Sequence, residues 1–161
     1  MALEVGDRAD REILYRMIGT SVAGSNTGCN GDTFTLRLYK GRGTLTKSDS
    51  KAYFIQATGT GYAYIVLTPT SWTINTLNPG TQDTTMASYA QQTFTFSGSD
   101  SIAGYMVWCV RARTSGTSSP TAPTAGVSDS ILLYAEQFSD GPYKIPGAGG
   151  SVRVTPRLIV S

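Results

Sequence analysis

The 161-residue chain has no histidine, only two cysteines, little charge (15% Asp, Glu, Lys and Arg) and no long apolar run. The absence of histidine removes every histidine-dependent triad, along with the commonest general base and metal ligand. Low charge beside 10% aromatics excludes an ordinary disordered tail. No apolar stretch approaches the roughly 18 residues of a membrane span, and the N-terminus lacks an apolar signal-peptide core. The sequence therefore predicts no membrane association and synthesis in the cytoplasm. Net charge is +2. Residues 1–80 hold eight Lys or Arg against six acids, and residues 81–161 hold five against five. Neither half has the basic excess of a nucleic-acid binder.

Cys29 and Cys109 match no zinc or redox spacing. Two buried thiols and a late-forming disulfide are both compatible with them. No Asn-x-Ser/Thr sequon is present, since Asn26-Thr27 is followed by Gly28.

What the chain does have is hydroxyl groups, with 22 Thr and 17 Ser. Between Ala52 and Val110 there are 16 of them, and the only charged residues are Asp83 and Asp100. Soluble β proteins normally guard exposed strand edges with Lys or other charges. Here that guard is missing, so the edges rely on hydroxyls or on a covering neighbour.

A helix is predicted from about Arg8 to Ile18. Asp7 caps it, Ala9, Ile13, Leu14, Met17 and Ile18 share one face, and Gly19 stops it. That face, Ile13 and Met17 included, packs over an open end of the domain or docks on a neighbouring subunit. Beyond Gly19 the period changes to two. Phe34, Leu36 and Leu38 alternate with Thr33, Thr35, Arg37 and Tyr39, as in a half-buried strand. Further strands are predicted at Tyr62–Leu67, Ser71–Thr76, Tyr89–Phe96, Ile102–Val110, Ile131–Phe138 and Val152–Val160. Ser97-Gly98-Ser99-Asp100 reads as a hairpin loop, and Pro156 as an edge strand or bulge. Thr114–Gly126 and Gly141–Gly150 read as loops. Seven or eight strands at spacings too short for crossover helices predict a mainly β, antiparallel sandwich, with a jelly roll as one form of it. The expectation is one domain over 1–161, with 1–19 as an N-terminal arm and helix.

Catalytic patterns are weak. Ser48-Asp49-Ser50-Lys51 has Ser-x-x-Lys spacing without the partner motifs such acyl-transfer enzymes use. Glu136 and Asp140 are the one acidic pair near a strand end, and an exposed strand charge followed by a turn Asp accounts for both. No calcium loop or phosphate-binding glycine loop is present. The sequence thus predicts no catalytic residue, cofactor or metal.

Interface candidates remain. Tyr62, Tyr64 and Tyr89 fall at alternating strand positions in the weakly charged span, and would form an exposed aromatic face for a protein or glycan. Trp72 and Trp108 are expected in the core. Lys40 with Arg42 at one strand end, and Arg111 with Arg113 at another, are either a solvated rim or a site for an acidic partner.

The order Ala87-Ser88-Tyr89-Ala90-Gln91-Gln92-Thr93-Phe94-Thr95-Phe96, Ile102-Ala103-Gly104-Tyr105, Leu132-Leu133-Tyr134-Ala135-Glu136-Gln137-Phe138 and Val152-Arg153-Val154-Thr155-Pro156, with the opening Ala2-Leu3-Glu4-Val5, has a recognisable texture. It resembles small β-rich virion structural proteins of tailed bacteriophages. The resemblance is compositional, and it implies no functional residues. It implies a virion component, made in the host cytoplasm: a homo-oligomeric capsid decoration (cement) protein whose partner is the major capsid protein. The alternative is a tail or fibre module that binds a host-surface glycan or receptor.

Overall fold

The computed structural model describes residues 33–41, 54–68, 71–77, 84–110 and 130–160. These hold eleven strands: β1 (Thr33–Tyr39), β2 (Ile65–Leu67), β3 (Thr73–Leu77), β4 (Thr84–Ser88), β5 (Gln92–Phe96), β6 (Asp100–Ile102), β7 (Gly104–Val110), β8 (Ser130–Gln137), β9 (Tyr143–Ile145), β10 (Gly150–Val154) and β11 (Arg157–Val160). The architecture is mainly β, and every strand pairing is antiparallel. The helix expected over Arg8–Ile18, the Thr114–Gly126 loop and Cys29 lie outside the described residues.

Four sheets form, in the orders β2-β1-β7-β8, β11-β4-β3, β10-β5 and β6-β9. All of them contribute to one core. The alternation in β1 sends Phe34, Leu36 and Leu38 inward, and the β1–β7 register sets them opposite Cys109, Val107 and Tyr105. Phe94 and Phe96 of β5, Val152 and Val154 of β10, Ala87 of β4, Leu158 of β11, Ile102 of β6 and Ile145 of β9 complete it. Each large apolar side chain removed from water here contributes about 1.5–3 kcal/mol. Tyr62 is partly buried and packs against this core, its ring stacked on Phe94 and Phe96 at centroid distances of 5.9 and 5.7 Å.

The half-buried expectation for β1 is corrected by its other face. Thr35 and Tyr39 are buried as well, and Arg37 is partly buried. A second, smaller cluster covers that side, built from Tyr39, Phe54, Ala103 and Met106, with Trp108, Leu132 and Ala135 packed against it. With both faces covered, β7 reads as a nearly continuous apolar run. A bulge between Val107 and Trp108 shifts the β7–β8 register and leaves Leu133 with no residue opposite it.

Several expected strands prove to be divided. The run predicted at 102–110 begins at Asp100 and breaks at Ala103, whose N–H donates to the Tyr39 carbonyl. Residues 97–100 are not a hairpin loop, because β5 pairs with β10 whereas β6 pairs with β9. The run at 152–160 breaks at Thr155-Pro156: β10 goes to β5, and β11 becomes an edge strand on β4. The predicted run at 89–96 shortens to β5. The missed strand β4 precedes it, and the Gly141–Gly150 loop contains β9.

Candidate interaction face

The outward face of the β2-β1-β7-β8 sheet is set by the same registers. Thr35 lies opposite Val66 on one side and Trp108 on the other, and Arg37 lies opposite Met106. Arg37 is the one charged residue of β1, and it is fixed on four sides. Its Nε donates to Thr35 Oγ1 at 3.1 Å and its Nη1 donates to Gln56 Oε1 at 2.9 Å. Its guanidinium carbon lies 4.3 Å from the Trp108 ring centroid and 4.8 Å from that of Tyr64. Such stacking over aromatic faces is favourable for a delocalised cation. Tyr64 is 50% exposed and Val66 58% exposed, so the clamp has an apolar, solvent-facing border. No carboxylate lies within ion-pair distance of Arg37 among the described residues.

A second polar centre is built on Asp100 of β6. The Asp100 side chain is 2% exposed and pairs with Lys40 Nζ at 3.0 Å. Its carboxylate also accepts the main-chain N–H groups of Thr58, Gly59 and Ser101. Burial works to raise its pKa, but Lys40 and then the three amides outweigh burial and hold it below the ordinary carboxylate range. The loop at residues 58–61 is thereby tied to β6, and the Ser97 N–H donates to the Thr60 carbonyl to fasten it further.

A third centre joins β7, β8 and β11. The Tyr105 hydroxyl donates to Glu136 Oε2 at 2.5 Å and accepts the Arg157 N–H at 3.2 Å. The Tyr134 hydroxyl also donates to Glu136, at 3.5 Å. Burial first, then the neighbouring Glu136, pushes the Tyr105 and Tyr134 phenols above their ordinary pKa. Burial and the Glu136 charge push Tyr39 up to about 12. Glu136 is thus taken up by phenols, and the Asp140 carboxylate accepts from the Ser139 hydroxyl. Among the described residues no group of three or more Asp, Glu or Cys could hold a metal ion, and no helix is long and apolar enough to cross a membrane.

The three tyrosines expected on one aromatic face are separated. Tyr62 packs, partly buried, against the core, Tyr64 covers Arg37, and Tyr89 packs edge-on to Trp72 with its hydroxyl accepting the Thr68 N–H. Lys40 is engaged by Asp100. Ile13, Met17, Arg42, Arg111 and Arg113 lie outside the described residues. Trp72 is in the core as expected, while Trp108 belongs to the outward face. Arg37 was legible only as the charged member of an alternating strand. Its position two residues from Thr35 and opposite an apolar β7 was the available signal. No family model, curated protein or solved structure matches the chain.

Proposed function

We propose that this protein is a non-enzymatic virion component, a β-sandwich that binds the assembled head shell of a tailed bacteriophage and reinforces it as a decoration protein. The virion assignment rests on the sequence texture. The single core shared by four antiparallel sheets supports the sandwich. The observation that carries the docking role is the Arg37 clamp, in which Arg, Trp and Tyr converge beside exposed Val66. Those residue types dominate the energetics of protein interfaces. Binding only to the assembled shell shifts the assembly equilibrium toward it, and multiple copies add up.

The test is addition of purified protein to preformed shells that lack it. The expected result is saturable binding and a higher shell melting temperature. Labelled particles carrying the protein on their tails alone would overturn this reading. A tail module for a host glycan is the second reading. It is favoured by the exposed Tyr64 against Arg37, whose guanidinium also holds the Gln56 amide, a set of groups that suits a shallow sugar site. Host-cell binding lost on Tyr64→Ala, with no binding to shells, would establish that reading in place of the first.

A further inference from the structure

We infer that the Arg37 face receives a protein segment carrying an Asp or Glu next to an apolar side chain, the carboxylate meeting the guanidinium and the apolar group covering Val66 and Tyr64. This names the chemistry of the partner in the docking role above and rests on that role. Charge complementarity selects the occupant. The described carboxylates are already committed or distant: Asp100 to Lys40 and three amides, Glu136 to two phenols on the opposite face, and Asp140 to Ser139. Arg37 uses Nε and Nη1 within the chain, and neither of those bonds neutralises its charge. Guanidinium geometry matches a carboxylate, and two aromatic faces shield the pair from water. The side chain is also already ordered by Thr35, Gln56, Trp108 and Tyr64, so little conformational entropy is lost on docking. The apolar half of the recognition comes from β2. Leu67 turns into the core and Ile65 packs against it, which leaves Val66 facing out between them.

The test is selection from a random dodecapeptide display library, followed by affinity measurement on the selected peptides. Enriched sequences should share an acidic residue beside Leu, Val or an aromatic residue. Arg37→Gln should weaken their binding at least about tenfold, as truncation of a desolvated charged partner does. Val66→Asp should abolish binding, and Val66→Lys should weaken it far less, since both lose the apolar contact but only Asp adds repulsion of the partner carboxylate and a rival for Arg37. Val66 is exposed, so this charge reversal reads electrostatics without disturbing the core. Added salt should weaken binding. Enriched peptides without carboxylates, no enrichment over an unrelated β protein, or equal binding by wild type, Arg37→Gln and Val66→Asp would each overturn the inference. Shells that bind wild type and Arg37→Gln equally would overturn it while leaving the shell role standing. Failure of shells to bind, with selective capture of acidic peptides, would overturn the shell role alone.

Discussion

The Tyr62 hydroxyl accepts the Leu38 main-chain N–H at 3.0 Å, completing the β1 ladder where the adjacent chain departs. Residues 55–57 accompany the end of β1, with Lys40 N–H donating to Ile55 and Ala57 N–H to Leu38, and β2 accompanies its beginning. Between them the chain leaves for the 58–61 loop, and a phenol fills the gap. Tyr62→Phe keeps the ring stack on Phe94 and Phe96 but strands a buried amide. The expected cost is about 2 kcal/mol, or roughly 4–8 °C in Tm for a chain of this size. Thermal unfolding with a shift below about 1 °C would remove this role from the hydroxyl.

Asp100 makes stability dependent on acid. Its folded pKa lies below its unfolded value near 4, so its contribution is fully present above about pH 4 and fades as pH falls through the folded value. Asp100→Asn should cost about 3 kcal/mol at neutral pH, because Lys40 loses its partner and three amides lose an anionic acceptor. The gap between variant and wild type should narrow on acidification. Urea unfolding at a series of pH values measures both, and a gap independent of pH would contradict the assignment.

Much of the fold was legible where one pattern governed one face. Phe34, Leu36 and Leu38 announced β1, and the short spacings announced antiparallel pairing. The strand β4 was hidden because Thr84–Ser88 offers Ala87 as its one described core residue, and its place depends on β3 and β11. Likewise β9 contributes only Ile145 to the core. Asp100 sits in Ser-Gly-Ser-Asp, which is turn chemistry locally. Its actual partners, Lys40 and the 58–61 loop, are brought to it only by the folded sheets. The site was harder to read for the same reason. The residues that clamp Arg37 come from three separated stretches, and no local spacing links Gln56, Tyr64 and Trp108 to it.

Gly104 is a packing requirement of β7. A Cβ there would collide with the Glu136 carbonyl and the Tyr39 hydroxyl, both held by paired strands. Gly104→Ala should therefore destabilise by about 3 kcal/mol or more, since backbone has to move. Gly147 has nothing within 4 Å of an added Cβ, and Gly147→Ala should stay within about 0.5 kcal/mol of wild type. Denaturant melts of the pair decide the matter, and similar midpoints would refute the steric account.

Alkaline pH should loosen the β7–β8–β11 junction. Tyr105 has a folded pKa raised above its unfolded value near 10, so its contribution is complete below about pH 10 and is lost as pH rises toward the folded value. Ultraviolet titration should show Tyr105 and Tyr39 ionising late, in step with unfolding. Tyr105→Phe should reduce the stability lost between pH 9 and 11 while lowering stability at pH 7 by about 1–2 kcal/mol, through the bonds to Glu136 and Arg157. An unchanged alkaline limb would sink the proposal that Tyr105 governs it.

The break at Thr155-Pro156 has a consequence for how the protein is made. Residues 150–154 supply the one described partner of β5, and residues 157–160 supply an edge for β4, so eleven consecutive residues stitch two sheets assembled from much earlier sequence. On a ribosome that stretch emerges after every other described strand. Until then β5 and β4 expose open hydrogen-bonding edges in the part of the chain with the fewest charges to repel a neighbouring nascent copy. The interval before residue 160 clears the exit tunnel is the period when mispairing between polysome neighbours is most favoured, and slow translation of the codons between β5 and β11 would lengthen it.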